Sequence, residues 1–237
     1  MACLLQMRQV LMNRAENLQE IRRNYEKLRQ SIPEYVTIVA ATKTRTVEEI
    51  EEAIQAGVEV VGENYVQEAA RKYEQLKNQV EWHMIGHLQR NKVKKALEIF
   101  DCIQTVDSPK LAEEINRRCQ SRGKVIPILI EVNIAGESTK SGILPEAVTE
   151  LVKTIAGCPS IKLKGLMTIE PYFEEPEKAR PYFKRLRELF DQLKKQTVPG
   201  VEMEILSMGM SNSYRIAIEE GSNMVRIGTA IFGPREY

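Results

Sequence analysis

A single (β/α)8 barrel is the fold this sequence predicts, and three observations predict it. Eight short apolar segments recur at roughly even intervals, the first over residues 35–41 and the last over 224–227. Stretches with helical spacing alternate with them, the signature of parallel strands joined by crossover helices. The length of 237 residues suits one barrel, and no linker, internal repeat or low-complexity tract divides it. Residues 1–237 are therefore expected to form one domain. An open doubly wound sheet is the rival arrangement of the same alternation.

The elements follow in order. Leu11, Leu18, Ile21, Tyr25 and Leu28 recur at helical spacing, so the chain opens on a long amphipathic helix. The first strand, 35–41, follows Pro33. Thr46 and Glu49 form a capping box for a helix that closes at Gly57. Residues 58–62 are a second strand and 67–76 a second crossover helix; 81–85 and 91–97 are the third pair. The fourth strand spans 99–105, and Ser108-Pro109 starts its helix with a cap residue followed by proline. Residues 125–132 are the fifth strand, and a helix over 145–156 is stopped by Gly157. The sixth strand, 161–167, precedes a long helix within 177–196 that holds Pro181 in its first turn or kinks there. Strands at 202–207 and 224–227 flank a short helix over 214–220. Little chain follows the eighth strand, so the opening helix, residues 4–28, is expected to cover that gap.

Composition narrows the function classes. Lys plus Arg number 34 against 33 Asp plus Glu, a balance that disfavours nucleic acid and membrane surfaces as partners. Cys3, Cys102, Cys119 and Cys158 lack CxxC or zinc-type spacing, which fits a reducing, cytoplasmic setting. No stretch has the length and apolarity of a membrane span, and the amino terminus has no secretory pattern.

Lys43 is the most informative residue. It lies just beyond the first strand, at the end where (β/α)8 proteins place their chemistry, and an unprotonated amine there can attack an aldehyde to form a Schiff base. Phosphate groups in such barrels bind after strands seven and eight. Here those places hold the small-residue run 207–213, with Gly209, and the pair Gly228-Thr229. Free N–H groups and hydroxyls at such helix starts cradle an anion without a lysine. On the last strand, Arg226 can face a heteroaromatic nitrogen, donate to it and disfavour its protonation. Together these residues point to a phosphorylated aldehyde.

The same residues carry a resemblance. Ala41-Thr42-Lys43, the runs 62–68 and 82–92, Val132-Asn133 with Glu137, Lys140 and Gly142, and the runs 165–168, 206–211 and 225–233 resemble the pyridoxal-phosphate homeostasis proteins. Those are small relatives of the alanine racemase N-terminal barrel, and the likeness runs nearly end to end. It implies that Lys43 carries pyridoxal 5′-phosphate as an internal aldimine and that Arg226 faces the pyridine nitrogen. It further implies that Ser207, Gly228 and Thr229 hold the phosphate and that Asn64 lines the side of the ring. Relatives usually carry an acidic residue where this chain has Ser213, which can still cap the following helix.

Other residues are assigned more ordinary places. Of His83 and His87, one is expected to be a packed, hydrogen-bonded histidine and the other a rim residue. Glu63 is expected on the rim, Glu68 on a helix surface and Lys140 in a surface loop. Racemases of this fold draw a second base from an additional C-terminal domain, and this sequence ends soon after the eighth strand. The expectation is therefore a non-catalytic cytoplasmic carrier that buffers or delivers pyridoxal phosphate, a monomer whose partners are apo-enzymes needing that cofactor. The alternative is an amino-acid racemase of low activity, with Tyr65 or His83 as second base. A Schiff-base aldolase without cofactor is a third reading.

Overall fold

A computed structural model describes residues 2–196 and 198–234, with backbone alone for 2–13. Eight parallel strands close into a barrel in sequence order: β1 (Thr37–Ala41), β2 (Val60–Glu63), β3 (Glu81–Met84), β4 (Cys102–Val106), β5 (Ile126–Glu131), β6 (Ile161–Met167), β7 (Val201–Ser207) and β8 (Met224–Ile227). Closure is made by β1 against β8, with Thr37 opposite Met224 and Val39 opposite Arg226. The helices α1 (Ala2–Ser31), α2 (Val47–Gln55), α3 (Val66–Leu76), α4 (Val93–Ala96), α5 (Pro109–Gln120), α6 (Val148–Ala156), α7 (Arg180–Lys194), α8 (Tyr214–Glu219) and α9 (Thr229–Phe232) accompany them.

Two apolar cores result. Alternate strand residues point inward, and Val39, Val60, Ile85 and Met224, with Ala41 and Ile205, fill the axis. The opposite strand faces and the helices form a larger outer core, with Trp82, Phe100 and Phe183 among its fully buried side chains. At Gly165 a β-carbon would stand 1.7 Å from the Ile205 carbonyl oxygen, so only glycine lets β6 and β7 meet there.

Local signals were sound where they were strong. Thr46 Oγ1 accepts from the Glu49 amide and Glu49 returns the bond to Thr46, the reciprocal cap expected for α2. Pro181 lies in the first turn of α7. The third helix is shorter than 91–97, since Arg90–Lys92 form a 3-10 turn. The fourth strand begins at Cys102, later than expected: Ile99 and Phe100 amides both bond back to Ala96, so these apolar residues pack from a helix exit. As expected, α1 covers the region beyond β8. Asn24 Nδ2 donates to the Ile231 carbonyl, Tyr25 donates to Gly57, and Ile21, Tyr25 and Leu28 are buried. Among the described residues no helix is long and apolar enough to cross a membrane.

Candidate functional site

Lys43 stands two residues past Ala41, on the strand parity that faces the barrel axis. Its amine lies 5.1 Å from the centroid of the Tyr65 ring, turned toward the β2 side of the mouth. A buried polar clamp holds this turn. Lys72, from α3, donates to the Thr42 carbonyl at 2.7 Å, to Glu63 at 2.6 Å and to Glu68 at 2.7 Å. Thr42 donates to Glu63 at 2.6 Å, and the Thr44 amide donates to Glu68 at 2.6 Å. Thr44 takes a left-handed backbone conformation, φ 67°, which a β-branched residue adopts only when its surroundings impose it. Glu63, expected on the rim, is instead buried, and both it and Glu68 are committed to Lys72. Burial raises the Glu63 carboxyl above its ordinary range, and Lys72 works against that rise.

Across β1, Arg226 is buried and lines a cavity of about 620 Å³ with Ala41, Glu170, Met210, Ser211, Gly228 and Thr229. Its Nη1 donates to Ser207 at 2.7 Å and its Nη2 to the Thr168 carbonyl at 2.6 Å. Burial pulls the guanidinium below its usual range, while Glu170 and Glu131 oppose that pull. At the outer end, Ser211 Oγ accepts from the amides of Gly228 at 3.3 Å and Ala230 at 3.2 Å. A hydroxyl oxygen seated on two amides marks where an anionic oxygen would be received. The turn that delivers Ser211 needs Gly209: φ is 95°, and a β-carbon there would fall 2.5 Å from that of Ala217.

The structure therefore brings Arg226, Gly228 and Thr229 into one cavity; Lys43 does not line it but follows its Ala41 wall by two residues, with the amine turned to Tyr65. Asn64 lines a neighbouring recess of about 370 Å³ with Tyr65, Gly86 and His87. Ser207, expected among the residues that hold the phosphate, does not line this cavity. It is wholly buried one step inside the rim, bonded to Arg226 and Gln104, and so is withdrawn from the anion cradle. Ser211, four residues on, occupies that place; the small-residue run contained it, but spacing alone did not separate the two serines. Ser213 also departs from its expected cap: its hydroxyl accepts from the Met210 amide at 3.0 Å and donates to buried Glu170. His83 is the packed histidine and His87, beside Asp107, the exposed one.

Comparisons with known proteins show the family and the fold. Residues 17–236 match the family described as alanine racemase, N-terminal domain. A pyridoxal phosphate homeostasis protein of Aquifex aeolicus is 47% identical over 201 residues, covering 84% of this chain and 87% of that protein. One from Mus musculus is 39% identical over 211 residues, with 84% and 77% covered. PipY of Synechococcus elongatus, solved with pyridoxal phosphate bound, superimposes with a TM-score of 0.83 at 32% identity, over 90% of this chain and all of that one. An alanine racemase of Clostridium difficile shares the fold, with a TM-score of 0.72 at 19% identity, over 94% of this chain and 58% of the enzyme. Sequence and geometry together show that the chain belongs to the pyridoxal phosphate homeostasis protein family, built on the N-terminal domain of alanine racemase.

Proposed function

We propose that this protein binds pyridoxal 5′-phosphate as a Schiff base on Lys43 and serves its homeostasis by holding the cofactor and releasing it to apo-enzymes that need it. The observation that carries this reading is a single cavity with an amide-lined cradle at one end and a buried guanidinium at the other, walled by Ala41 two residues before Lys43. A phosphate fits the Gly228 and Ala230 amides in place of the Ser211 hydroxyl oxygen, and Thr229 stands exposed at the same helix start. Arg226 spends one Nη1 hydrogen on Ser207 and one Nη2 hydrogen on the Thr168 carbonyl, and no described residue accepts from its Nε, so donors remain for a ring nitrogen. A donor that stays charged keeps such a nitrogen unprotonated. When bound, the cofactor supplies an aldehyde that bonds amines and a pyridine ring that withdraws electrons.

A carrier suits the remaining residues better than a racemase. Of the two candidates for the second base that racemisation requires, His83 has both ring nitrogens engaged inside the barrel, and Tyr65 is exposed with its ring against the Lys43 amine. Buried, unpaired Cys102, Cys119 and Cys158 accord with a reducing cytoplasm, where we place the protein as a monomer. Incubation with pyridoxal phosphate, borohydride reduction and peptide mapping test the reading: the label is expected on Lys43 and absent from Lys43→Ala. An equal specific label on the variant would refute it. Racemisation of alanine and serine at ordinary enzymatic rates, lost in Lys43→Ala, would favour the second reading.

A further inference from the structure

We propose that Gln104 and His83 are positioning residues for Arg226, acting through a one-way hydrogen-bond chain that crosses the barrel interior. The proposal rests on the reading that Arg226 faces the pyridine ring. From the site inward, Arg226 Nη1 donates to Ser207 Oγ at 2.7 Å, and Ser207 donates to Gln104 Oε1 at 2.7 Å. Gln104 Nε2 approaches His83 Nδ1 at 2.7 Å, and His83 Nε2 approaches Glu81 Oε1 at 2.8 Å. Four strands contribute, β8, β7, β4 and β3, and the path ends at the first residue of β3. Arg226, Ser207, Gln104 and His83 are all buried; the Glu81 side chain is 51% exposed.

The two ends fix the direction of every link. Arginine can only donate and an ionised carboxylate can only accept. Ser207 must therefore accept from Arg226 and pass its own proton to the glutamine oxygen. The glutamine amide then points at His83 Nδ1, which serves as acceptor, and Nε2 carries the proton donated to Glu81. The second amide hydrogen of Gln104 meets Met224 Sδ at 3.2 Å. Reversing the glutamine would set its oxygen against that sulfur and leave the Ser207 hydroxyl hydrogen without an acceptor. A buried group left unpaired is costly, so the members hold or fail together. The chain keeps Nη1 of Arg226 turned to the axis, leaving Nε toward the cavity. It also has the glutamine oxygen draw the serine proton away from the guanidinium.

Only two histidines are present, so His87→Asn isolates His83 for ¹⁵N NMR of the full-length protein without cofactor. At one fixed pH, Nδ1 is expected as an unprotonated acceptor and Nε2 as protonated. In Gln104→Glu the new carboxylate can only accept, so both His83 nitrogens are expected to become protonated. With pyridoxal phosphate added, Gln104→Leu is expected to shift the absorption band of the bound cofactor and weaken its retention about tenfold, the scale of one buried hydrogen bond. Ser207→Ala should shift the band in the same direction, and the double variant should add little to either. A protonated Nδ1 in the parent protein would overturn the chain even if Gln104→Leu fails to fold. An unchanged band and affinity in folded Gln104→Leu would overturn its reach to Arg226. If the parent protein takes up no pyridoxal phosphate, the binding assignment fails, and the ¹⁵N measurement still judges the chain.

Discussion

Lys43 stood out in the sequence because it follows an apolar strand, but what holds it was not visible there. The clamp joins Thr42 and Thr44 to Glu63 on β2, expected on the rim, to Glu68 on α3, expected on a helix surface, and to Lys72, which nothing in the sequence singled out. Lys72→Met would strand Glu63, whose second carboxylate oxygen is already buried without a partner. Breaking a buried ion pair from one side costs about 3–5 kcal/mol, and a carboxyl that can take up a proton pays less at low pH. The variant is expected to lose stability in urea unfolding more at pH 8 than at pH 5, and Glu63→Gln added to it should recover part of the loss. Equal midpoints for Lys72→Met and the parent at both values would show the clamp to be inert. Ser207 and Ser211 make the same point. Both were legible as small polar residues near the phosphate end, and neither carried in its own neighbourhood the sign of which would face the axis.

Elements were most legible where their cause is local. The capping box of α2 is a four-residue signal and was found in place. The start of β4 is not local: whether Ile99 and Phe100 extend a strand or fill the core from a helix exit depends on what packs against them. The role of α1 follows from counting elements, since α9 has only four residues to cover β8. Ile21, Tyr25 and Leu28 supply the missing apolar surface, and Arg22 pairs with Glu52 on α2 at 2.6 Å. Each fully buried large apolar side chain contributes about 1.5–3 kcal/mol, so three approach the whole stability of an ordinary domain. A chain lacking residues 2–28 is expected to be insoluble, or to bind hydrophobic dyes and lose its near-ultraviolet circular dichroism. Parent-like unfolding after that deletion would show that α1 is dispensable.

For the molecule as a whole, the barrel interior is where acidity and stability meet. Glu131 on β5 is buried with one oxygen unpartnered, and burial pushes its carboxyl up to about 7; Asp107 adds to the rise and Arg226 opposes it. The native state therefore keeps a proton that the unfolded chain has released by about pH 4.5. Between that pH and about 7 the native state binds more protons, so stability falls as pH rises through this window. Glu131→Gln removes the titration. The drop in its unfolding midpoint between pH 5 and pH 8 is expected to be smaller than the parent's, with a gain on the parent at pH 8 on the order of 3 kcal/mol at most. A parent-like pH slope in the variant would assign the effect to other groups.

By itself the sequence determined the alternation of strands and helices, the barrel that follows from it, and the motifs that carry the family. These rest on periodicity, caps and glycine turns, all set by neighbours within a few residues. Tertiary structure alone decided that Ser207 supports Arg226 while Ser211 meets the amides of β8's outgoing turn. It also made Lys72 a buried clamp and joined Ser207 to Gln104 across the axis. Those pairings depend on inter-strand register and on which face of each strand turns inward, and closure of the barrel fixes both between residues that lie far apart along the chain.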